Sequence, residues 1–370
     1  MKKVLIVFGT RPEAIKMAPL VQAFKKNNFF ETKVCVTAQH REMLDQVLDF
    51  FEISPDFDLD LMKPNQNLYN LTGEIINGMK DVLEEYNADY IFVHGDTTTT
   101  MAVSIASFYF GAKICHVEAG LRTFNLLAPF PEEMNRQVTS RITNYHFAPT
   151  EQSKSNLLKE NILENQILVT GNTVIDALFF ALEKLKKINN EEINNLQRII
   201  QKDKDIVLVT GHRRENHGKG FINICNALKE ISKDKNVQII YPVHLNPNVQ
   251  EPVNNILSNI ENISLISPLP YEAFLWLMNK SKIIITDSGG IQEEAPSLGK
   301  PVLVLRETTE RPEAVEAGTV VLVGTNVDKI VEEVNQLLNN NDKYKKMSLL
   351  HNPYGDGKAS KRIVKFLLNK

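Results

Sequence analysis

The chain has 370 residues, 43% of them hydrophobic and 24% charged, with a formal net charge of −3. That length points to two domains, and the balanced charge gives no reason to expect nucleic acid or a membrane surface as partner. The longest apolar runs fall far short of a membrane span, the first ten residues run straight into a strand so that no signal peptide is expected, and Cys35, Cys115 and Cys225 stand too far apart for a disulfide framework or zinc site, fitting buried thiols in a reducing cytoplasm.

Short apolar runs alternate with longer helical patterns from end to end. The first half offers strands at 3–8, 32–38, 90–94, 113–117, 145–148 and 167–170, with helical periodicity over 12–27 and 68–86. The second half offers strands at 205–210, 237–243, 263–266, 282–286, 301–305 and 319–323, with helices over 247–259 and 326–339. Such alternation argues for an α/β fold with parallel sheets covered on both faces.

The two halves echo each other. Val7-Phe8-Gly9-Thr10-Arg11-Pro12-Glu13 ends the first strand, and Val209-Thr210-Gly211-His212-Arg213-Arg214-Glu215 ends a later one. Both read V-x-G-x-R-x-E, and both fall where a first βα turn belongs. We therefore read two Rossmann-like domains, 1–171 and 172–355, with the boundary near 171–175. A last helix within 356–370 can belong to either, packing back on the first domain in one arrangement. A ligand is expected in the cleft that the carboxyl ends of both sheets face. No G-x-G-x-x-G follows any of these strands and no Walker A sequence is present. Dinucleotide and nucleoside-triphosphate chemistry are thus disfavoured, and no cofactor is expected.

Several strand ends carry residues fit for chemistry. Arg11 stands beside Pro12, which suits the first position of a helix, and Lys16 follows about one turn later. His94-Gly95-Asp96 precedes four consecutive threonines, Thr97–Thr100, which ask for a reason beyond capping. Asp96 taken alone reads as an N-cap, but a strand's carboxyl end is also where ligands bind. Glu118 ends the strand 113–117 beside a glycine turn. Glu132 and Glu133 open a helix after Pro131, and spacings of three and four set Glu132 against Asn135 and Arg136. His212 with Arg213 and Arg214 suits a phosphate or a proton transfer, and His244 is similarly placed after a strand. No cysteine or histidine pair has metal-ligand spacing, so no metal is expected.

The run Thr286-Asp287-Ser288-Gly289-Gly290-Ile291-Gln292-Glu293-Glu294 opens a helix behind the apolar strand Ile283–Ile285. Ser288 suits an N-cap, and the glycines let a ligand approach the backbone. Free N–H groups and the positive dipole end suit a phosphate or diphosphate. Glu294, about one and a half turns in, is placed to accept from a ribose diol. An ordinary capped helix is the plain alternative.

Taken together these segments resemble the non-hydrolysing UDP-N-acetylglucosamine 2-epimerases. The matching runs are Phe8–Lys16, His94–Thr100, His116–Thr123, Pro131–Arg136, Gly211–Glu215, Tyr241–Asn246, Thr286–Pro301 and Asn352–Gly357, spread from the first strand to the last helix. The resemblance implies a glycosyltransferase B-type fold and inversion at C2, converting UDP-GlcNAc to UDP-ManNAc. It implies Asp96, Glu118, Glu132 and His212 as the catalytic set, and Arg11, Lys16, Arg136, Ser288, Gly289, Gly290 and Glu294 as substrate-binding residues. It also implies a second UDP-GlcNAc as activator near Gln39, Glu42, Arg214 and His244, and a homodimer. One loop, Phe124–Pro129, departs from the glycine and serine usual in that family. A 2-epimerase of a 2,3-diacetamido sugar, a glycosyltransferase of the same architecture and a non-catalytic UDP-sugar binder are the alternatives.

The chemistry fits. The C2 hydrogen of UDP-GlcNAc is not adjacent to a carbonyl and is barely acidic. Expelling UDP from C1 while a base removes the C2 proton gives a glycal, to which UDP re-adds with protonation from the other face. Asp96 and Glu132 are read as the C2 proton carriers, Glu118 as orienting the sugar, and His212 with Arg11 as stabilising the departing UDP.

Overall fold

The first strand, β1 (Lys2–Phe8), is buried over its last five positions, as a strand covered on both faces must be. In this computed structural model, residues 1–37, 41–61 and 66–370 are described, the side chains of 41–43 excepted. The chain divides into Met1–Ala177 with Tyr354–Lys370, and Leu178–Pro353. The division falls inside the helix Thr173–Leu185, a few residues beyond the boundary read from the sequence.

In the first unit β1 is joined by β2 (Phe30–Val36), β3 (Phe57–Asp58), β4 (Tyr90–His94), β5 (Lys113–Val117), β6 (Tyr145–Ala148) and β7 (Ile167–Val169). The described strands form one parallel sheet in the order β3-β2-β1-β4-β5-β6-β7. The two-residue β3 lies outside the sequence reading because periodicity needs a longer run to show. Leu5, Val7, Ile91, Val93 and Ile114 point from the strands into a cluster with Ile75, Met79 and Leu83 of the helix Leu68–Tyr86 and Ala102, Val103 and Ala106 of the helix Thr98–Phe110. Burying each such large aliphatic side chain contributes about 1.5–3 kcal/mol.

The last helix, Ala359–Leu368, belongs to this unit. Phe366 meets Tyr145 and Phe147 edge-on at 5.3 and 5.6 Å. Its N-terminus lacks a cap of its own. Asp176 supplies one from elsewhere, accepting from the N–H groups of Ala359 at 3.1 Å and Ser360 at 2.9 Å.

The second unit holds β8 (Asp205–Thr210), β9 (Val237–Pro242), β10 (Ile263–Ile266), β11 (Ile283–Thr286), β12 (Val302–Val304) and β13 (Val320–Leu322). They form a parallel sheet ordered β10-β9-β8-β11-β12-β13. Its core joins Val207, Val209, Ile239 and Ile285 to Phe221, Ile224 and Leu228 of the helix Lys219–Ile231. In both sheets the strand order reverses beside the first strand, between β1 and β4 and between β8 and β11. Such switch points open a crevice at the strands' carboxyl ends. Among the described residues no helix is long and apolar enough to cross a membrane.

Candidate active site

At the first switch point, Gly9 and Thr10 lead from β1 into the helix Arg11–Lys25. Thr10 caps that helix, and Glu13 closes a capping box. The box does more than cap. Glu13 is buried, its Oε2 accepting from the N–H groups of Gly9 at 3.0 Å and Thr10 at 2.8 Å. Its Oε1 accepts from the hydroxyls of Thr97 at 2.6 Å and Thr100 at 3.4 Å. One carboxylate thus ties the turn after β1 to the turn after β4.

The four threonines find their reason here. Thr97 is the N-cap, accepting from the Thr100 N–H at 3.1 Å. Thr98 is buried. Thr99 is hydrogen-bonded to Thr37 at 3.0 Å, and Thr100 donates to the His94 carbonyl. Gly9 is required beside them, since a Cβ there would lie 2.1 Å from the Thr37 hydroxyl and 2.6 Å from that of Thr99.

Glu118 follows β5 in the left-handed region, with φ of 62°. Its carboxylate pairs with Lys16, accepts from Asn172 Nδ2 at 2.7 Å, and lies 3.6 Å from His94 Nε2. Burial alone would raise this carboxyl, but Lys16 and then His94 outweigh it and hold it well below the usual range. It is an ionised acceptor. A Cβ on Gly95 would stand 3.6 Å from Glu118 Oε1, so the turn carrying Asp96 passes alongside. Beneath, buried His116 meets the Gly95 carbonyl through Nε2 at 2.7 Å, and burial pushes its pKa down to about 3. It is a neutral structural donor.

Asp96 is partly exposed and pairs with Arg136. Asn135 Nδ2 donates to the Asp96 carbonyl at 2.9 Å, fastening the helix Glu132–Ile142 to this turn. The helical spacing expected Glu132 to face Asn135 and Arg136, and this is corrected. Arg136 meets Glu133 instead, at 3.1 Å. Glu133 is fully buried and also accepts from the N–H groups of Thr123 at 3.0 Å and Phe124 at 3.1 Å. The reason is the helix's orientation: Glu133 lies inward under the loop, while the side chain of half-buried Glu132 makes no hydrogen bond or ion pair with any described residue. Lys16 and Arg136, read as substrate ligands, are therefore each paired with a carboxylate read as catalytic. Arg11 has no such partner among the described residues.

The second switch point is built differently. β8 and β11 pair through Thr210 and Thr286. Asp287 follows β11 fully buried, its Oδ2 accepting from the N–H groups of His212 at 2.9 Å and Arg213 at 2.8 Å. In the first unit Glu13 of the turn itself does this. Its counterpart in the sequence echo, Glu215, is instead drawn to Arg306 at 2.6 Å. A Cβ on Gly211 would lie 3.3 Å from both Phe221 and the Tyr241 hydroxyl, so the turn packs closely there.

His212 is half-exposed, with Nδ1 3.3 Å from Asp287 Oδ1 and its ring stacked on His244 at 5.6 Å. Ser288 occupies the N-cap position of the short helix Gly289–Glu294, but its side chain does not cap. Its N–H donates to the Thr286 hydroxyl at 3.0 Å. Gly289 lies under Arg311, whose Cζ would be 3.1 Å from a Cβ there and whose Nε is 2.8 Å from Glu293 Oε1. Gly290 is half-buried and Glu294 buried. Arg214 is exposed on the turn Arg214–Asn216, and exposed His244 accepts from the Asn246 N–H at 3.1 Å. Gln39 lies outside the described residues, as does the side chain of Glu42.

Sequence reasoning gave no role to Glu13, Asn172, Asp287 or Arg311. The T-x-x-E spacing of Thr10 and Glu13 was the available signal for the first. The partners of the others are distant in the chain, so spacing carries no trace of them.

A family profile described as UDP-N-acetylglucosamine 2-epimerase matches residues 22–368. The chain belongs to the UDP-N-acetylglucosamine 2-epimerase family. The Yersinia pestis protein of that name is 60% identical over 370 residues, spanning 99% of this chain and 98% of the relative. Its namesake in Escherichia coli K12 is 58% identical over 371 residues, with the same coverage. A solved UDP-GlcNAc 2-epimerase from Neisseria meningitidis, bound to UDP-GlcNAc, superposes with a TM-score of 0.91 at 55% identity and covers both chains in full. The Methanocaldococcus jannaschii enzyme in complex with UDP-GlcNAc and UDP gives 0.81 at 35% identity, again over both full chains. Family membership favours the 2-epimerase among the readings open from the sequence.

Proposed function

We propose that this chain interconverts UDP-GlcNAc and UDP-ManNAc by eliminating UDP to a glycal and re-adding it. Full-length identity with enzymes named for this reaction carries the reading. Two carboxylates at the carboxyl ends of neighbouring strands, Glu118 and Asp96, each facing a cation, support it. Asp96 and Glu132 exchange the C2 proton. Ionised Glu118 orients the sugar and holds Lys16. His212 and Arg11 stabilise the departing diphosphate, with Arg136 on the substrate. The N–H groups of Gly289 and Gly290, with the Ser288 side chain, which does not cap the helix, take the diphosphate, and Glu294 takes the ribose. A second UDP-GlcNAc acts as activator near Gln39, Glu42, Arg214 and His244, in a cytoplasmic homodimer that supplies activated sugar for envelope polysaccharide. Cys35, Cys115 and Cys225 are all free, buried thiols, in keeping with that compartment.

Incubation with UDP-GlcNAc in D2O, followed by NMR, tests the reaction. UDP-ManNAc carrying deuterium at C2 is the expected product. Free ManNAc with UDP indicates hydrolysis instead, and complete retention of the C2 proton over many turnovers refutes exchange through elimination. The activator is tested with pure UDP-ManNAc: a lag abolished by a trace of UDP-GlcNAc supports it, and immediate full-rate conversion removes it.

A further inference from the structure

His212 sits on a turn that another element holds from beneath. Asp287 Oδ2 is occupied by the backbone N–H groups of His212 and Arg213 and, at 3.4 Å, by Asn216 Nδ2. Those bonds fix where the carboxylate points. Oδ1 is left buried, without a hydrogen-bond partner, and 3.3 Å from His212 Nδ1. A buried carboxylate oxygen is costly to leave unpaired, so it favours any proton on the atom facing it. The side chain is 46% exposed, and Nε2 is not among the buried unpaired atoms.

We infer that Asp287 is a positioning residue for the reaction: it keeps a proton on His212 Nδ1, so that Nε2 alone exchanges a proton with the substrate. This rests on the reading of His212 as the residue that meets the departing diphosphate. The groups around the ring are Asp287 from the end of β11, His244 from the end of β9, and Arg213 on the same turn. Burial, His244 and Arg213 disfavour the imidazolium, while Asp287 favours it, and the balance leaves the pKa below its ordinary value. The free ring is therefore neutral, with its lone pair at Nε2. A diphosphate brought to Nε2 adds negative charge and favours uptake of one proton there. Nε2–H then donates to the β-phosphate oxygen as the bond to C1 breaks, and Asp287 steadies the cation through Nδ1–H. The proton returns by the same path on re-addition.

The test is Asp287→Asn in the full-length enzyme. The amide oxygen still accepts from the two backbone N–H groups, so the turn is retained. The amide NH2 faces Nδ1 as a donor and drives the ring proton onto Nε2. Nitrogen-15 NMR of the His212 ring is expected to show the Nδ1–H tautomer in the parent enzyme and the Nε2–H tautomer in the variant. With UDP added, the parent ring protonates at a higher pH than when free, and this rise shrinks in the variant. kcat falls about 100-fold or more, the range of a general acid or base, with KM changing much less. His212→Gln is the control for the underlying reading. If it keeps full activity, His212 takes no part and that reading fails, whatever the NMR shows. If Asp287→Asn leaves tautomer, titration and pH–rate profile unchanged, Asp287 merely braces the turn and the inference falls.

Discussion

Asp96 and Glu118 end neighbouring strands and differ in setting. Glu118 is buried against Lys16, whereas Asp96 keeps 28% of its side chain exposed beside Arg136. Asp96 is therefore the more accessible of the two, as the proposed proton transfer requires. Asp96→Asn and Glu132→Gln should each lower turnover by about 100- to 10,000-fold, the span of lost acid–base catalysis. In the proposed function both act on the sugar, so UDP affinity measured by calorimetry should change less than tenfold, about 1.4 kcal/mol. A larger loss of UDP binding would reassign that residue. Glu294→Ala should do the reverse. If its carboxylate accepts from ribose hydroxyls as proposed, its loss should weaken UDP binding by about 1.5–3 kcal/mol, and an unchanged dissociation constant would return Glu294 to a packing role.

At the scale of elements, caps donated from afar hold the pieces in place. The helix Ala359–Leu368 begins at Lys358, which makes no side-chain cap, and relies on Asp176 for its first N–H groups. Asp176→Ala should cost about 1–2 kcal/mol, the usual value of an N-cap. Hydrogen exchange of the amides in that helix should then speed up roughly 5- to 30-fold, while β1 to β5 keep their protection. Uniform acceleration across the first unit would mean that this helix does not open separately. Glu133 plays a comparable part for the segment after Thr123, and Glu13 for the two turns at the first switch point.

For the molecule as a whole, two buried histidines set the response to acid. Burial pushes His116 to about 3 and His146 to about 4, while an unfolded histidine titrates near 6.5. Below pH 6.5 the unfolded chain binds protons that the folded chain refuses. Their stability contribution is therefore complete above about pH 6.5 and is lost as pH falls toward 4. The slope is about 1.4 kcal/mol per pH unit for each, or about 3 for both. Glu118 and Glu310, held low by their cations, add to the loss only below about pH 4.5. Urea midpoints measured from pH 7.5 to 5 check this: a flat plateau below 6.5 would mean that both rings accept protons without unfolding.

Local pattern alone determined much of this protein. Apolar runs marked the long strands because strands covered on both faces must be apolar throughout, and the repeated V-x-G-x-R-x-E exposed the doubled architecture. The long motifs around Arg11, Asp96, Glu118, His212 and Ser288 carried the family, since each is a contiguous turn at a strand end. Tertiary structure decided which charges neutralise one another. Lys16 meets Glu118 102 residues away, and Asp287 reaches the N–H of His212 across 75. It also turned Glu133 inward where helical spacing favoured Glu132, and gave Glu13 and Asp287 the same task in different units. Spacing reports neighbours within a turn or a strand. A carboxylate's partners are set by which strands lie side by side, and that emerges only when the sheet has formed.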